Sequence, residues 1–305
     1  MDRLAAMETF VRVVETGSFS AAGRQLHLGQ PAISKTIAQL EDRLGVKLLL
    51  RSTRGLTATE AGEGFYQRAR RAIEEADEAD LAARGAGAGL TGRLRICAAP
   101  TFAGLHVIPH LPEFLAQHPD LEMEVMLDDR LIDLITEGID ICLRMGELPD
   151  SNLMARRIGQ ARRLVIGAPA YFEQAGIPRI PGELIGHKSI IYGLGSGRDT
   201  WMFRRDGAEI SVTVKGRLRV SAAEGVRASV LAGMGLAVAS EWMFSRELAS
   251  GAVRAVLTEW TISPVDLWAI FPSGRVASAK ARAFADFVEG KLRTPSQPIP
   301  GGNRL

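Results

Sequence analysis

The chain is poor in the features that mark secreted, membrane or metal-dependent proteins. It holds only two cysteines in 305 residues, Cys97 and Cys142, too few for a disulfide framework. Both lie in short apolar runs, at 94–98 and 139–143, and read as two small buried core residues. A redox role is the alternative, for which the sequence offers no support. Aromatic residues make up 6%. No apolar run approaches the ~18–20 residues that span a bilayer. Met1, Asp2, Arg3 and Leu4 lead directly into an amphipathic pattern with Glu8, Arg12 and Glu15, unlike a signal peptide, so a cytoplasmic location and no membrane partner are expected.

Catalytic signatures are also missing. The sequence shows no GxSxG, no Walker A lysine motif and no GxGxxG after a strand. A glycine-rich stretch at 193–197 leads to Arg198, Asp199, Thr200 and Trp201, not to a convincing helix. Of the five histidines, His106 and His110 have helical spacing. They would need Glu113 or His118 to complete a metal site, and a solvated helix face is the plainer reading. No enzyme, cofactor or metal is therefore expected. A transport-type binding protein would need a signal peptide and would lack what the first 60 residues contain.

What is present is a soluble, globular composition, 46% hydrophobic and 24% charged. At about 100–200 residues per domain, the length implies two or three domains. The net charge of +2 conceals a segregation: residues 1–58 carry eight Lys/Arg against five Asp/Glu, and residues 59–90 carry four against seven. A basic head followed by an acidic segment suggests that the head alone meets a polyanion.

In that head, Leu4, Met7, Phe10, Val11 and Val14 have helical spacing. Gly17 stops the helix and Ser18 can cap the next, at 19–26, where Ala21 and Ala22 permit close approach. A turn at 27–29 precedes a third helix that opens on Gln30 and Pro31, proline being suited to a first turn. Ile33, Ile37, Leu40 and Leu44 form its inner face. Gln30, Ser34, Lys35, Gln39 and Arg43 form the outer one. Two helices joined by a tight turn, the second rich in donors, are a helix-turn-helix whose second helix can enter the major groove. Gln30 can pair with adenine, Lys35 with guanine acceptors and the Pro31 ring with a thymine methyl; Ser34 can serve bases or phosphates, and Ser20 and Gln39 extend the DNA-facing set. A strand at 46–51, a turn at 52–55 and a strand at 56–58 make a β-wing, with Arg51 and Arg54 near its tip for phosphate or minor-groove contacts.

The run FVRVVETGSFSAAGRQLHLGQPAISKTIAQLEDRLGVKLLLRSTRGLTATEAG, residues 10–62, resembles the N-terminal domain of LysR-type transcriptional regulators. The SFSAA of the scaffold helix, the QPAISK of the reading helix, the LEDRLGVKL bridge and the RxxRGLTxTEAG wing carry the likeness. Three positions depart from the family: Gly29 stands in place of a capping Ser, Leu50 in place of Phe, and Lys35 in place of Arg, which keeps charge and loses bidentate geometry. Further on, Asp140, Arg144 and Gly146 match the D-x-x-x-R-x-G of one family branch.

A helical run at 59–83 follows, about 40 Å long, with Phe65, Ala69, Ile73 and Ala76 on one stripe. Between two domains such a stripe has nowhere to go except against a second copy, or, alternatively, its own C-terminal domain. The resemblance implies a dimer-forming linker helix, a homodimer and a homotetramer on double-stranded DNA at an interrupted inverted repeat, with RNA polymerase as a further candidate partner. A hinge at 85–92 follows.

From residue 93 strands and helices alternate, implying a mainly parallel sheet with helices on both faces. Strands are expected at 94–98, 121–127, 139–144, 163–167, 189–192, 201–205, 209–214, 217–220, 236–239 and 264–271. Helices are expected at 105–117, 131–137, 223–232, 241–248 and 277–292. The resemblance implies a two-lobed, periplasmic-binding-protein-like effector domain. Lobe one then spans 92–165 plus 266–292 and lobe two 166–265, with a disordered tail at 293–305. The fold class is α/β multidomain: winged helix-turn-helix, linker helix, effector domain. Ligands of such sheets sit beyond the carboxyl ends of strands. That rule selects Pro100, Thr101, Phe102, Asp128, Asp129, Arg144, Gly193, Leu194, Ser221 and Ala222. Arg144 suits a carboxylate, and Thr101 and Ser221 sit where helix N-termini favour an anion, so a small-molecule effector, an organic acid for choice, is expected. Arg144 pairing with Asp128, and Thr101 and Ser221 acting as plain helix caps, are the alternatives.

Overall fold

The computed structural model describes residues 2–52, 55–84, 89–130, 132–148, 154–193, 199–272 and 277–293. Leu131, Arg54, Leu194, the first part of the expected hinge and the expected tail beyond 293 lie outside these. The chain forms two compact units, Met1–Gly92 and Arg93–Leu305.

In the first unit, α1 (Arg3–Thr16) is capped by Asp2, which accepts from the amides of Leu4 and Ala5, and ends at the left-handed Gly17. Ser18 caps α2 (Phe19–Gln25), and α3 (Gln30–Leu44) ends at the left-handed Gly45. Phe10, Val13, Ala22, Ile33, Ile37, Leu40 and Leu48 form the core these helices share. Gly23 permits the tight turn: a Cβ there would stand 2.6 Å from the Leu28 carbonyl oxygen. The wing is β1 (Leu49–Ser52) paired antiparallel with β2 (Gly55–Ala58). It begins later than 46 because the Leu48 and Leu49 amides are taken by the Glu41 carboxylate, at 2.9 and 3.2 Å. The long α4 (Glu60–Arg84) packs on α1 within the same unit, with Phe65 edge-on to Phe10 at 5.3 Å between centroids. The apolar stripe is thus covered at its start by α1 of its own unit, a cover that the expectation of a second copy or the C-terminal domain did not include.

The second unit is built on a nine-stranded sheet in the order β10-β7-β11-β6-β13-β5-β3-β4, with β12 also on β6. Its strands are β3 (Gly92–Ala98), β4 (Leu121–Leu127), β5 (Ile141–Met145), β6 (Met154–Gly167), β7 (Ser189–Tyr192), β10 (Gly216–Val220), β11 (Leu236–Ser240), β12 (Arg254–Val256) and β13 (Ile262–Phe271). Pairs β3–β5, β7–β10 and β7–β11 are parallel. Pairs β6–β11, β6–β12, β6–β13 and β5–β13 are antiparallel. The sheet is therefore mixed, not mainly parallel: β6 and β13 run the length of the domain side by side in opposite directions and join its two halves. Val165 and Ile166, successive on β6, enter cores on opposite faces, as the period of a strand requires. A separate hairpin, β8 (Thr200–Arg205) and β9 (Ala208–Thr213), covers one of those cores with Trp201, Phe203 and Val212.

Three expected helices change form, the one at 241–248 opening as a 3-10 turn at Glu241–Phe244 before its α-helical part at Ser245–Ser250. Residues 105–117 divide into a π-turn at Ala103–Val107, a 3-10 turn at Ile108–His110 and α6 (Leu111–Gln117), after α5 (Pro100–Phe102). Pro109 and Pro112 remove the amides a continuous helix needs. The segment 132–138 is a turn: Asp133 accepts from the amides of Ile135 and Thr136 and from the Thr136 hydroxyl, at 2.8–3.3 Å. Such local bonds compete with the helix. The remaining helices are α7 (Pro169–Ala175), α8 (Ala223–Leu231), α9 (Ser245–Ser250) and α10 (Ala279–Arg293).

Candidate nucleic-acid interface and effector cleft

The outer face of α3 is open. Gln30, Pro31, Lys35 and Gln39 are exposed and Ser34 is half-buried, while Ile33, Ile37 and Leu40 are buried beneath them. Gly29 precedes α3 with no side-chain cap bond, leaving its first amides free of a side-chain partner. The Ser20 hydroxyl, from the first turn of α2, donates to Oε1 of Gln30 at 2.9 Å. This bond fixes the Gln30 side chain and leaves its NH2 donors and a second oxygen lone pair for a base edge. Arg51 lies on β1 opposite Leu56, so its backbone is placed in the wing. Glu41 links reading helix to wing. Besides the two amides, it accepts from Lys47 at 2.6 Å. Burial alone would raise its carboxyl, but the bonds from Lys47 and the two amides outweigh it and hold Glu41 below the usual carboxylate range. The sequence reading missed Glu41; its place three residues before the helix-ending Leu44, on the otherwise apolar side of α3, is the available signal.

On α4, Phe65 is half-buried on α1 and Ala69 fully buried, whereas Ile73 and Ala76 keep partial exposure. The four stripe residues therefore do not share one open seam. Gly62 sets the approach: a Cβ there would stand 2.0 Å from the Leu48 carbonyl oxygen.

In the second unit, the strand-end residues come together in a different pattern from the expected one. Arg144 does not pair with Asp128. Asp128 accepts from Arg130 through Nε, Nη2 and the backbone amide, at 2.7–3.1 Å. Those hydrogen bonds pull its carboxyl down to about 2. Arg144 donates to the carbonyls of Arg130 at 3.1 Å and Asp129 at 3.5 Å, bracing the segment after β4. Asp129 is pushed up, first by burial and then by the charge of Asp128, with the Ala223 amide pulling the other way. Thr101, buried, donates to Glu224 Oε2 at 3.2 Å. This bond spans the two halves of the domain, from α5 to the first turn of α8. Neither Thr101 nor Ser221 is a cap: the capping positions are Ala99 and Ala222, without side-chain bonds.

Pro100 is half-buried at the start of α5, and Ser221 is exposed just before α8. Gly193 takes φ 107° and donates to the Val220 carbonyl at 2.7 Å. Phe102 is buried, stacked on His106 at 5.5 Å and tilted against Trp242 at 5.9 Å, in an aromatic cluster where the π-turn meets the segment before α9. His106 shares a hydrogen bond with the Trp242 carbonyl at 2.7 Å, and burial lowers its pKa. Glu224 and Trp242 were not legible as site residues, because their partners Thr101, Phe102 and His106 lie more than a hundred residues away in the sequence. Among the described residues, no three of His, Cys, Asp or Glu converge as metal ligands, and no helix is long and apolar enough to cross a membrane.

Comparison with known proteins follows the same division. Residues 4–63 match the model for bacterial regulatory helix-turn-helix proteins of the lysR family, and residues 87–293 match the LysR substrate binding domain. An HTH-type transcriptional regulator of Xanthomonas campestris is 36% identical over 288 residues, covering 93% of this chain and 83% of that protein. The solved structure of CrgA, a LysR-type transcriptional regulator from Neisseria meningitidis, superposes with a TM-score of 0.61 at 30% identity, over 95% of this chain and 99% of that one. The full-length Vibrio cholerae virulence activator AphB gives 0.55 at 28% identity, over 94% and 99%.

Proposed function

Because the chain belongs to the lysR family of bacterial helix-turn-helix regulators, we propose that its DNA reader is a pair of heads, set on the two arms of an interrupted inverted repeat by a homodimer. The chain itself is a DNA-binding transcription regulator with an effector-binding domain, and not an enzyme. One head with a small positive charge binds weakly, and two-fold protein symmetry matches two half-sites. The half-exposed part of α4 that includes Ile73 and Ala76 is the contact offered to the second copy. Two such dimers make the tetramer, acting in the cytoplasm where the promoter and RNA polymerase are found.

The observation that carries the DNA-reading assignment is the open outer face of α3. Gln30 is held by Ser20, and Pro31, Ser34, Lys35 and Gln39 follow it over a buried apolar face. Arg51 and Arg54 serve the phosphates. For the effector we infer an organic acid in the cleft between the halves, with Pro100, Thr101, Arg144, Gly193, Leu194, Ser221 and Ala222 around it. Its carboxylate takes the place Glu224 holds against Thr101, and its arrival shifts the balance between closed and open arrangements. Binding of full-length protein to its own promoter region, titrated with salt, tests the reading. Affinity should fall steeply as salt rises. Binding that ignores salt, or none at low salt, overturns it.

A further inference from the structure

The chain's two cysteines, far apart in sequence, meet in the fold. Parallel strands β3 and β5 place Cys97 directly opposite Cys142 in register. Both side chains enter one buried cluster with Leu134, Ile139 and Ile270, so they point to the same face. Neighbouring strands lie about 4.8 Å apart, inside the ~4.4–6.8 Å Cα range that a disulfide spans. The two thiols are free and hydrogen-bonded to each other.

The pair is also chemically unequal. The hydrogen bond from Cys142, helped by the Asp128 amide and the Arg144 charge, holds Cys97 below the usual thiol range against the pull of burial and of the Asp128 carboxylate. The same hydrogen bond, with burial, holds Cys142 above it. The Arg144 charge favours a thiolate at either sulfur. The pair lies beside Arg144 and Asp128. Arg144 is two residues beyond Cys142 on β5 and shares its face. The Asp128 amide donates to the carbonyl of Ala98, next to Cys97, at 3.1 Å.

We propose that Cys97 and Cys142 are a reversible oxidation site that closes to an intrachain disulfide, with a hydroperoxide as the oxidant. The Cys97 thiolate attacks a peroxide oxygen and the O–O bond breaks. The departing alkoxide takes a proton and leaves as an alcohol, or as water from hydrogen peroxide, and Cys97 becomes a sulfenic acid. The Cys142 sulfur then attacks the Cys97 sulfur. The S–O bond breaks, and the hydroxide leaves as water with the Cys142 proton. The two thiols supply the two electrons that reduce the peroxide. The bond ties β3 to β5 just below Thr101 and Arg144, and so couples oxidation to the cleft. The chemistry of the site stands whether or not an organic acid is the effector.

The test uses full-length protein, shown to be folded by circular dichroism, exposed to hydrogen peroxide, then unfolded and alkylated with iodoacetamide. Two alkylated cysteines are expected before oxidation, none after, and two again after dithiothreitol, with the chain monomeric on a non-reducing gel. Thiols that survive oxidation of the folded protein, or that are lost only to interchain dimers or sulfonic acid, overturn the proposal. Dimedone separates the roles. Cys142→Ser should trap the sulfenic acid on Cys97, and Cys97→Ser should show no adduct on Cys142. Trapping on Cys142 alone, or equally on both, overturns the assigned order. Should either variant fail to fold, the wild-type thiol count decides alone.

Discussion

In the head, Gln30, Pro31, Lys35 and Gln39 are exposed on the outer face of α3, where Gln30 accepts from Ser20. One buried acid, Glu41, is spent on architecture. In the effector domain the strand-end residues bind each other: Asp128 with Arg130, Thr101 with Glu224, Arg144 with two carbonyls. A surface that meets a large polyanion can stay open, because solvent satisfies it until DNA arrives. The strand-end groups of the effector domain already have partners, so a ligand that reaches them has internal bonds to replace. That replacement supplies the differential contact a conformational response needs.

The contrast breaks most severely where the head's geometry is most constrained. Gly62→Ala puts a methyl group on the Leu48 carbonyl, with the Ala58 Cβ at 3.3 Å and no flexible side-chain end to give way. It should destabilise the head by about 3 kcal/mol or more and abolish DNA binding, read by thermal unfolding and fluorescence anisotropy. Gly64→Ala, two residues on, meets only the flexible end of Arg68 at 3.7 Å. It should instead raise stability by about 0.5 kcal/mol or more through helix propensity. Equal effects of the two substitutions would mean that the close approach of α4 to the wing is not what holds the head.

Glu41 sharpens the comparison next. Glu41→Ala strands two buried amides and should cost about 1–3 kcal/mol in chemical denaturation. Its carboxyl lies below the ordinary value in the folded head. The stability it adds is therefore complete above the unfolded-state value and is lost as pH falls through the folded one. Glu41→Gln should flatten that part of the acid limb, and a limb unchanged by the substitution would remove Glu41 from the account. A smaller and more selective effect belongs to Gln30→Ala: about 1–3 kcal/mol of base discrimination lost at one position of each half-site, measured against operator variants. A uniform loss across all sequences would reassign Gln30 to phosphate.

How much was readable from residues alone follows the same line. The head is local: Ser18, Gly23, Pro31 and Gly45 act on neighbours a few positions away, and their helices appear where spacing puts them. The effector domain is not. β6 reads MARRIGQARRLVIG, and its four arginines conceal a strand. Their partners arrive from afar: Arg156 meets Asp286, Arg157 Asp266, Arg162 Glu241, and Arg163 the Ser263 carbonyl. The same holds for the site. Thr101 and Arg144 are legible as strand-end residues, but Glu224 becomes a partner only once α8 is docked, and Phe102 turns into the aromatic cluster with Trp242.

The smallest effect concerns the bond across the cleft. Thr101→Val removes a hydroxyl whose acceptor, Glu224, stays partly in water, so the single substitution is worth about 1 kcal/mol or less. A double-mutant cycle with Glu224→Gln, read by unfolding of the effector domain, isolates the contact from either residue's own packing. A coupling of about 0.5 kcal/mol or more would show that the two halves are tied at Thr101, so that any effector reaching it must break that tie and release α8. Additive substitutions would instead leave the halves joined by β6, β13 and the contacts of Phe102 and His106 with Trp242, without a contribution from Thr101. The effector domain would then share with the head an open binding surface, and the comparison between them would fail at the point where it matters for regulation.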